Sequence, residues 1–135
     1  MNIKVGDVAT LTKTITDEDI HAFADIIGDH NSVHLDDEFA KTTRFGRRIA
    51  HGMLSGALIS AVIGERLPGR GAVYLSQTFK FVAPVYPGDT VTARVTVLKI
   101  REDKNILTLE TVCEKEGGET VVTGEAVVLA DPVQA

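Results

Sequence analysis

Apolar and polar positions change period twice along the chain, from strand-like to helical and back, and the changes predict where its elements lie. Val8 to Ile15, rich in Val, Thr, Leu and Ile, reads as an opening strand. Ile20, Phe23, Ala24 and Ile27 then repeat at i, i+3, i+4 and i+7 as one helical face, and Thr16 with Asp19 forms a capping box at its start. Gly28 is placed to end that helix. The polar segment Asp29 to Asp36 follows, then a short helical stretch from Asp37 to about Thr43 and a basic connector, Arg44 to Arg48. From His51 to Leu67 the apolar residues surround the helix axis instead of forming one stripe, so this second long helix is expected to be wrapped on most sides. Pro68, Gly69 and Gly71 stop it.

Strands fill the rest. Val73 to Val85 reads as one long strand closed by Pro84, Pro87 and Gly88. Thr90 to Ile100 alternates, with Val91, Ala93, Val95 and Val97 on one face and Thr92, Arg94 and Thr96 on the other. Ile106 to Cys113 and Thr120 to Leu129 complete the set, joined by turns at 102–105 and 116–118. One strand, helices, then strands linked by short turns gives an α+β arrangement: an antiparallel sheet with the helices on one side. An all-round apolar helix must be partly enclosed by that sheet, which therefore curves around it as a hot-dog fold. Such a sheet has open edges, and pairing one with a second copy predicts a homodimer or higher homo-oligomer.

Composition narrows the function classes. At 135 residues the chain is expected to be a single domain, 1–135. Its 44% hydrophobic and 24% charged residues are those of a folded globular protein. A net charge of −5 carries no general attraction for nucleic acid or anionic lipid, and 5% aromatics without Trp offer no base-stacking platform. Neither nucleic acid nor membrane is an expected partner, because Met53 to Ile63, the most apolar stretch, is well short of the roughly 20 residues needed to span a bilayer. The lone Cys113 and an N-terminus without an apolar signal region point to the cytoplasm.

The segment Gly28-Asp29-His30-Asn31-Ser32-Val33-His34-Leu35-Asp36 carries the densest chemistry. A regular helix would splay Asp29 and His34 about 140° apart and a strand would send them to opposite faces, so they converge only if the backbone turns between them. Asp, Asn and Ser favour such a turn, and a carboxylate beside an imidazole can hold and deprotonate one water. The same residue types also serve as caps and turn formers around a loop histidine, so the segment alone leaves both readings open. Ile49-Ala50-His51-Gly52-Met53 is the second cluster. A glycine in the first turn of a helix admits a ligand to an unpaired N–H that can polarise a carbonyl, or merely relieves crowding, with His51 as an N-cap substitute. A metal cluster of His30, His34, Asp29, Asp36 and Asp37 matches no familiar ligand spacing, and neither a metal nor a cofactor is expected.

These residues resemble a known family. Gly28 to Asp36 is similar to the signature of MaoC-like (R)-specific enoyl-CoA hydratases, Gly-Asp-x-Asn-Pro-aliphatic-His-x-Asp, and the likeness continues through Phe45 to Met53 and Pro84 to Asp89. The resemblance implies a hot-dog fold and reversible syn addition of water to a trans-2-enoyl-CoA, giving an (R)-3-hydroxyacyl-CoA. It implies that Asp29 and His34 are the catalytic pair, that Asn31 shapes their loop, and that the Gly52 N–H polarises the thioester oxygen. Along the buried helix His51, Gly56, Ile59, Ser60 and Ile63 become candidates for the acyl pocket. Arg44, Arg47, Arg48, Arg66, Arg70 and Lys80 become candidates for the coenzyme phosphates. Ser32 departs from the pattern by standing in the proline position, which bears on loop rigidity and leaves both reacting side chains in place. An acyl-CoA thioesterase and a non-catalytic acyl-CoA-binding module on the same fold remain the alternatives.

Overall fold

The computed structural model describes residues 2–130; Met1 and 131–135, the two ends of the expected 1–135 domain, lie outside the described residues. In chain order the elements are β1 (Val8–Thr14), α1 (Asp17–Ile27), α2 (Ser32–Leu35), α3 (Asp37–Lys41), α4 (Gly52–Glu65), β2 (Val73–Gln77), β3 (Lys80–Phe81), β4 (Thr90–Arg101), β5 (Ile106–Lys115) and β6 (Thr120–Leu129). The strands form one antiparallel sheet in the order β1-β4-β5-β6-β2, with the short β3 also pairing with β6. The sheet curves around α4, as the sequence pattern predicts.

The alternation read along β4 is the alternation observed: Val91, Ala93, Val95 and Val97 are buried. Leu107, Leu109 and Cys113 of β5 and Val122, Ala126 and Val128 of β6 join them in the core. From the other side α4 contributes Leu54, Leu58, Ile59, Val62 and Ile63. Two polar groups inside this core are paired. Thr111 Oγ1 accepts from Gln77 Nε2 at 2.9 Å, and Cys113 Sγ lies 3.4 Å from the Ser55 carbonyl to which it donates. The capping box at Thr16 and the left-handed Gly28 bound α1 as expected, but Ile27 is half exposed and lies outside the buried face. Met53, Ala57, Ser60 and Gly64 leave one exposed stripe along α4.

One expected strand is broken in two. Val73–Val85 divides into β2 and β3, because at Thr78 and Phe79 the chain abandons the ladder and bends toward α4. Thr78 N–H donates to the Glu125 carbonyl, and the Thr78 hydroxyl oxygen accepts from Glu125 N–H at 3.1 Å, so the bend keeps its hydrogen bonds. Phe79 and Phe81, two residues apart, then lay their rings over Gly56 and Gly52, four residues apart on α4. Periodicity alone misses this break, because its cause lies across the sheet at Gly124. A Cβ there would overlap the Thr78 carbonyl oxygen. Gly124→Ala is expected to destabilise the fold by about 2–3 kcal/mol, read as a lowered urea midpoint with an unchanged denaturant slope.

Candidate active site

A sequence of local hydrogen bonds turns the polar segment back on itself. Gly28, with φ 78°, ends α1 in the left-handed conformation, its N–H donating to the Ala24 carbonyl. Asp29 Oδ1 accepts from the Asn31 N–H at 3.1 Å, and Asn31 Oδ1 accepts from the Val33 N–H at 3.1 Å, capping α2. The sequence pattern shows only a polar loop here; the single turn of α2 swings His34 round toward Asp29. One side-chain atom from each of Asp29, His34 and His51 lies within 4.8 Å of the other two. The convergence required of Asp29 and His34 is thus present, and His51 joins it from the start of α4.

His34 is buried and its tautomer follows from its partner. Nδ1 stands 2.7 Å from the Ile49 carbonyl, which only accepts, so Nδ1 carries the proton and Nε2 keeps a lone pair. Burial pushes the imidazole below its ordinary value of about 6.5; the Ile49 carbonyl opposes that shift, nearby His51 reinforces it, and Asp29 opposes it. The shift favours the neutral ring, the form that can take a proton. The Arg48 guanidinium donates to the His34 carbonyl at 3.2 Å while pairing with Asp17 and Asp37, so it ties α2 to α1 and α3. His51 is 3% exposed. Its ring stacks on that of His34 at 3.8 Å between centroids and 26° between planes, and Phe23 meets it edge-on. His51 Nε2 donates to the Asp29 carbonyl at 3.1 Å.

Two clefts flank the first turns of α4 and share Met53; Asp29, His34 and His51 line neither. The first, about 480 Å³, is lined by Arg44, Phe45, Ile49, Gly52, Met53 and Phe81 among others. The second, about 320 Å³, is lined by Phe23, Met53, Gly56, Ser60, Tyr74 and Phe79 among others. Gly52 opens α4, so its N–H has no helical carbonyl to bond. The close approach expected there is made by Phe81, whose ring would stand 2.6 Å from a Cβ at 52; Phe79 would stand 2.8 Å from one at 56.

Of the five expected pocket positions, Gly56 and Ser60 line the second cleft. Ile59 and Ile63 line neither cleft; both are buried in the core that α4 shares with the sheet. His51 also lines neither and sits behind His34. Among the expected phosphate ligands, Arg48 is committed to its two ion pairs and Arg66 to the Thr10 carbonyl. Arg47 lies over the Tyr86 ring at 4.0 Å, while Arg44 lines the first cleft beside Gly52. Sequence reasoning missed Phe79 and Phe81, whose spacing of two opposite glycines spaced four apart was the available signal. It also missed the stacking partner of His34, for which sequence offers no signal across 17 positions.

Comparison with known proteins places these observations. Residues 4–122 match the family described as MaoC like domain. An (R)-specific enoyl-CoA hydratase of Rhodospirillum rubrum is 50% identical over 128 residues, covering 95% of this chain and 88% of that protein. A 3-hydroxybutyryl-CoA dehydratase of Methylorubrum extorquens is 46% identical over 127 residues, covering 94% and 80%. The solved structure of an (R)-hydratase from A. caviae involved in PHA biosynthesis superposes with a TM-score of 0.91 at 48% identity, covering 94% of this chain and 96% of that one. Ring-nitrogen NMR of the purified protein is expected to show His34 as the Nδ1–H tautomer and to place its midpoint below 6.5, the base form gaining as pH rises through that lowered value.

Proposed function

The chain belongs to the MaoC-like domain family, and from that premise we propose how it works: it is a hydro-lyase, an (R)-specific enoyl-CoA hydratase, and Asp29 and His34 are its catalytic pair. The observation that carries the assignment is the turn that brings the Asp29 carboxylate to a buried imidazole whose Nε2 lone pair is free. The Asp29 carboxylate and His34 Nε2 hold one water between them. His34 takes one of its protons as the oxygen bonds to the β-carbon of the trans-2-enoyl thioester, and returns that proton to the α-carbon. The second proton of the water, held by Asp29, stays on the new hydroxyl. Hydroxyl and hydrogen thus come from one water on one face, and both side chains end as they began. Charge that builds on the thioester oxygen meets the Gly52 N–H at the positive end of α4.

Asn31 shapes the loop through its bond to Val33, and Arg44, exposed at the first cleft, is the best-placed cation for a coenzyme phosphate. Asp29, His34 and His51 also lie at metal-like separations, but the two imidazoles are stacked face to face. His51 Nε2 is engaged as a donor to the Asp29 carbonyl and offers no lone pair to an ion, which favours a bound water. Relatives named as hydratase and dehydratase favour this chemistry over the thioesterase and the non-catalytic binding module.

The working form is a homodimer. β1 blunts its outer edge with Thr10, Thr12, Lys13 and Thr14, whereas the opposite edge, β2, exposes Val73, Tyr74 and Leu75. That apolar edge and the exposed stripe of α4 support pairing with a second copy. Among the described residues no helix is long and apolar enough to cross a membrane. The buried, unpaired Cys113 fits a reducing cytoplasm. Residues 1–135 act as one domain in this reading.

Crotonyl-CoA mixed with the purified protein is expected to lose its conjugated absorbance without releasing thiol, giving the (R)-alcohol. Asp29→Asn and His34→Ala each lower kcat by about 10³-fold or more. Thiol release would identify a thioesterase instead. Sedimentation is expected to give twice the 14.5 kDa chain mass, and Leu75→Lys on the β2 edge to shift the protein toward one copy.

A further inference from the structure

We propose that His51 is a positioning residue of the hydration, one side chain that ties the Asp29 main chain, the His34 ring and the first turn of α4 into a single unit. The inference rests on the assignment of Asp29 and His34 as the catalytic pair. His51 reaches all three parts at once. Its Nε2–H donates to the Asp29 carbonyl at 3.1 Å. Its ring face lies on the His34 ring at 3.8 Å. Its own carbonyl accepts from Leu54 N–H in the first turn of α4, and its peptide leads directly into Gly52. Phe23 of α1 meets the same ring edge-on.

The contacts assign this role and exclude two others. His51 is 3% exposed and lies under the His34 ring, so the stack keeps it from substrate. As the N-cap residue of α4 it makes no side-chain capping bond, so helix capping does not account for an imidazole here. What the position uses is a flat ring carrying a donor on one edge. Phenylalanine would keep the stack and leave the Asp29 carbonyl without its donor, while glutamine would keep an amide donor and lose the stack. Without the donor the Asp29 backbone is held only by its own turn; without the stack the exposed face of His34 is open to water.

A misplacement of reacting groups by about 1 Å costs on the order of 10²-fold in rate. His51 therefore acts on kcat rather than on substrate affinity. The stack also bears on how His34 titrates. The titratable and charged groups that face His34 are Asp29, His51 and, on its carbonyl, Arg48 with its partners Asp17 and Asp37. Burial is the largest cause of the lowered His34 value, and the His51 ring supplies part of that burial. Admitting water to that face returns His34 toward its ordinary value, so the acid limb of the rate profile moves to higher pH.

The test compares His51→Phe, His51→Gln and Asp29→Asn with wild type in full-length protein, following crotonyl-CoA hydration between about pH 5 and 8. In both His51 variants kcat is expected to fall about 10- to 100-fold with KM within about threefold of wild type. The acid limb is expected to move to higher pH in both variants, because each loses the repulsion of His51, and to move further in the Gln variant, which also loses the stack. Unchanged kcat and acid limb in both, with only thermal stability reduced, would overturn the proposal and leave His51 as packing. Should neither variant fold, ring-nitrogen spectra of wild type decide: Nε2–H on His51 with Nδ1–H on His34 supports the arrangement, and any other pair of tautomers overturns it. Wild type that fails to hydrate, or Asp29→Asn that retains full rate, sinks the underlying assignment. Active wild type with a dead Asp29→Asn and His51 variants like wild type sinks this inference alone.

Discussion

The seating of α4 in the curved sheet is the constraint to which every part of the site is referenced. Leu54, Leu58, Ile59, Val62 and Ile63 are buried against the sheet, each contributing on the order of 2 kcal/mol of apolar burial. That burial sets where the helix begins, and its beginning places Gly52 in the lining of the first cleft and His51 against His34. The segment just upstream is held by main-chain bonds, Ala50 N–H to the Val85 carbonyl and Ile49 N–H to the Val33 carbonyl. The Ile49 carbonyl that selects the His34 tautomer is thus positioned by the fold and not by the catalytic loop alone.

Electrostatics at the site is a balance decided by burial. Desolvation of His34 outweighs the hydrogen bond to Ile49 and the attraction of Asp29, both of which favour the charged ring, and the result is a shift toward the neutral base. Asp29, by contrast, is exposed in a single copy of the chain. Arg48 links α1, α3 and the His34 carbonyl, yet its carboxylate partners Asp17 and Asp37 are half or more exposed. Such pairs contribute about 1 kcal/mol or less to stability, so their effect is orientation more than energy. The two phenylalanine rings do a comparable job with shape. By lying on Gly52 and Gly56 they form walls of separate clefts that share Met53, and those walls exist only because β2 and β3 part company at Thr78.

The sequence by itself determined the elements that repeat: the alternation of β4, the capping box and glycine stop of α1, the all-round apolar α4, and so the α+β sheet wrapped on a helix. It also marked Asp29, Asn31, His34 and Gly52 as candidates, because turn-forming residues around a carboxylate and an imidazole, and a glycine at a helix start, are local patterns, while the resemblance to the MaoC-like signature supplied their roles. Periodicity reports which face of an element is apolar, and that is a property each segment carries on its own. Only the tertiary structure decided what depended on a distant partner. The break at Thr78 answers to Gly124, the inward turn of Ile59 and Ile63 to the sheet, the commitment of Arg48 to Asp17 and Asp37, and the place of His51 to a ring 17 residues away. In each case the deciding contact joins segments far apart in the chain, and a distance between such segments is set by packing, which no local pattern of residues encodes.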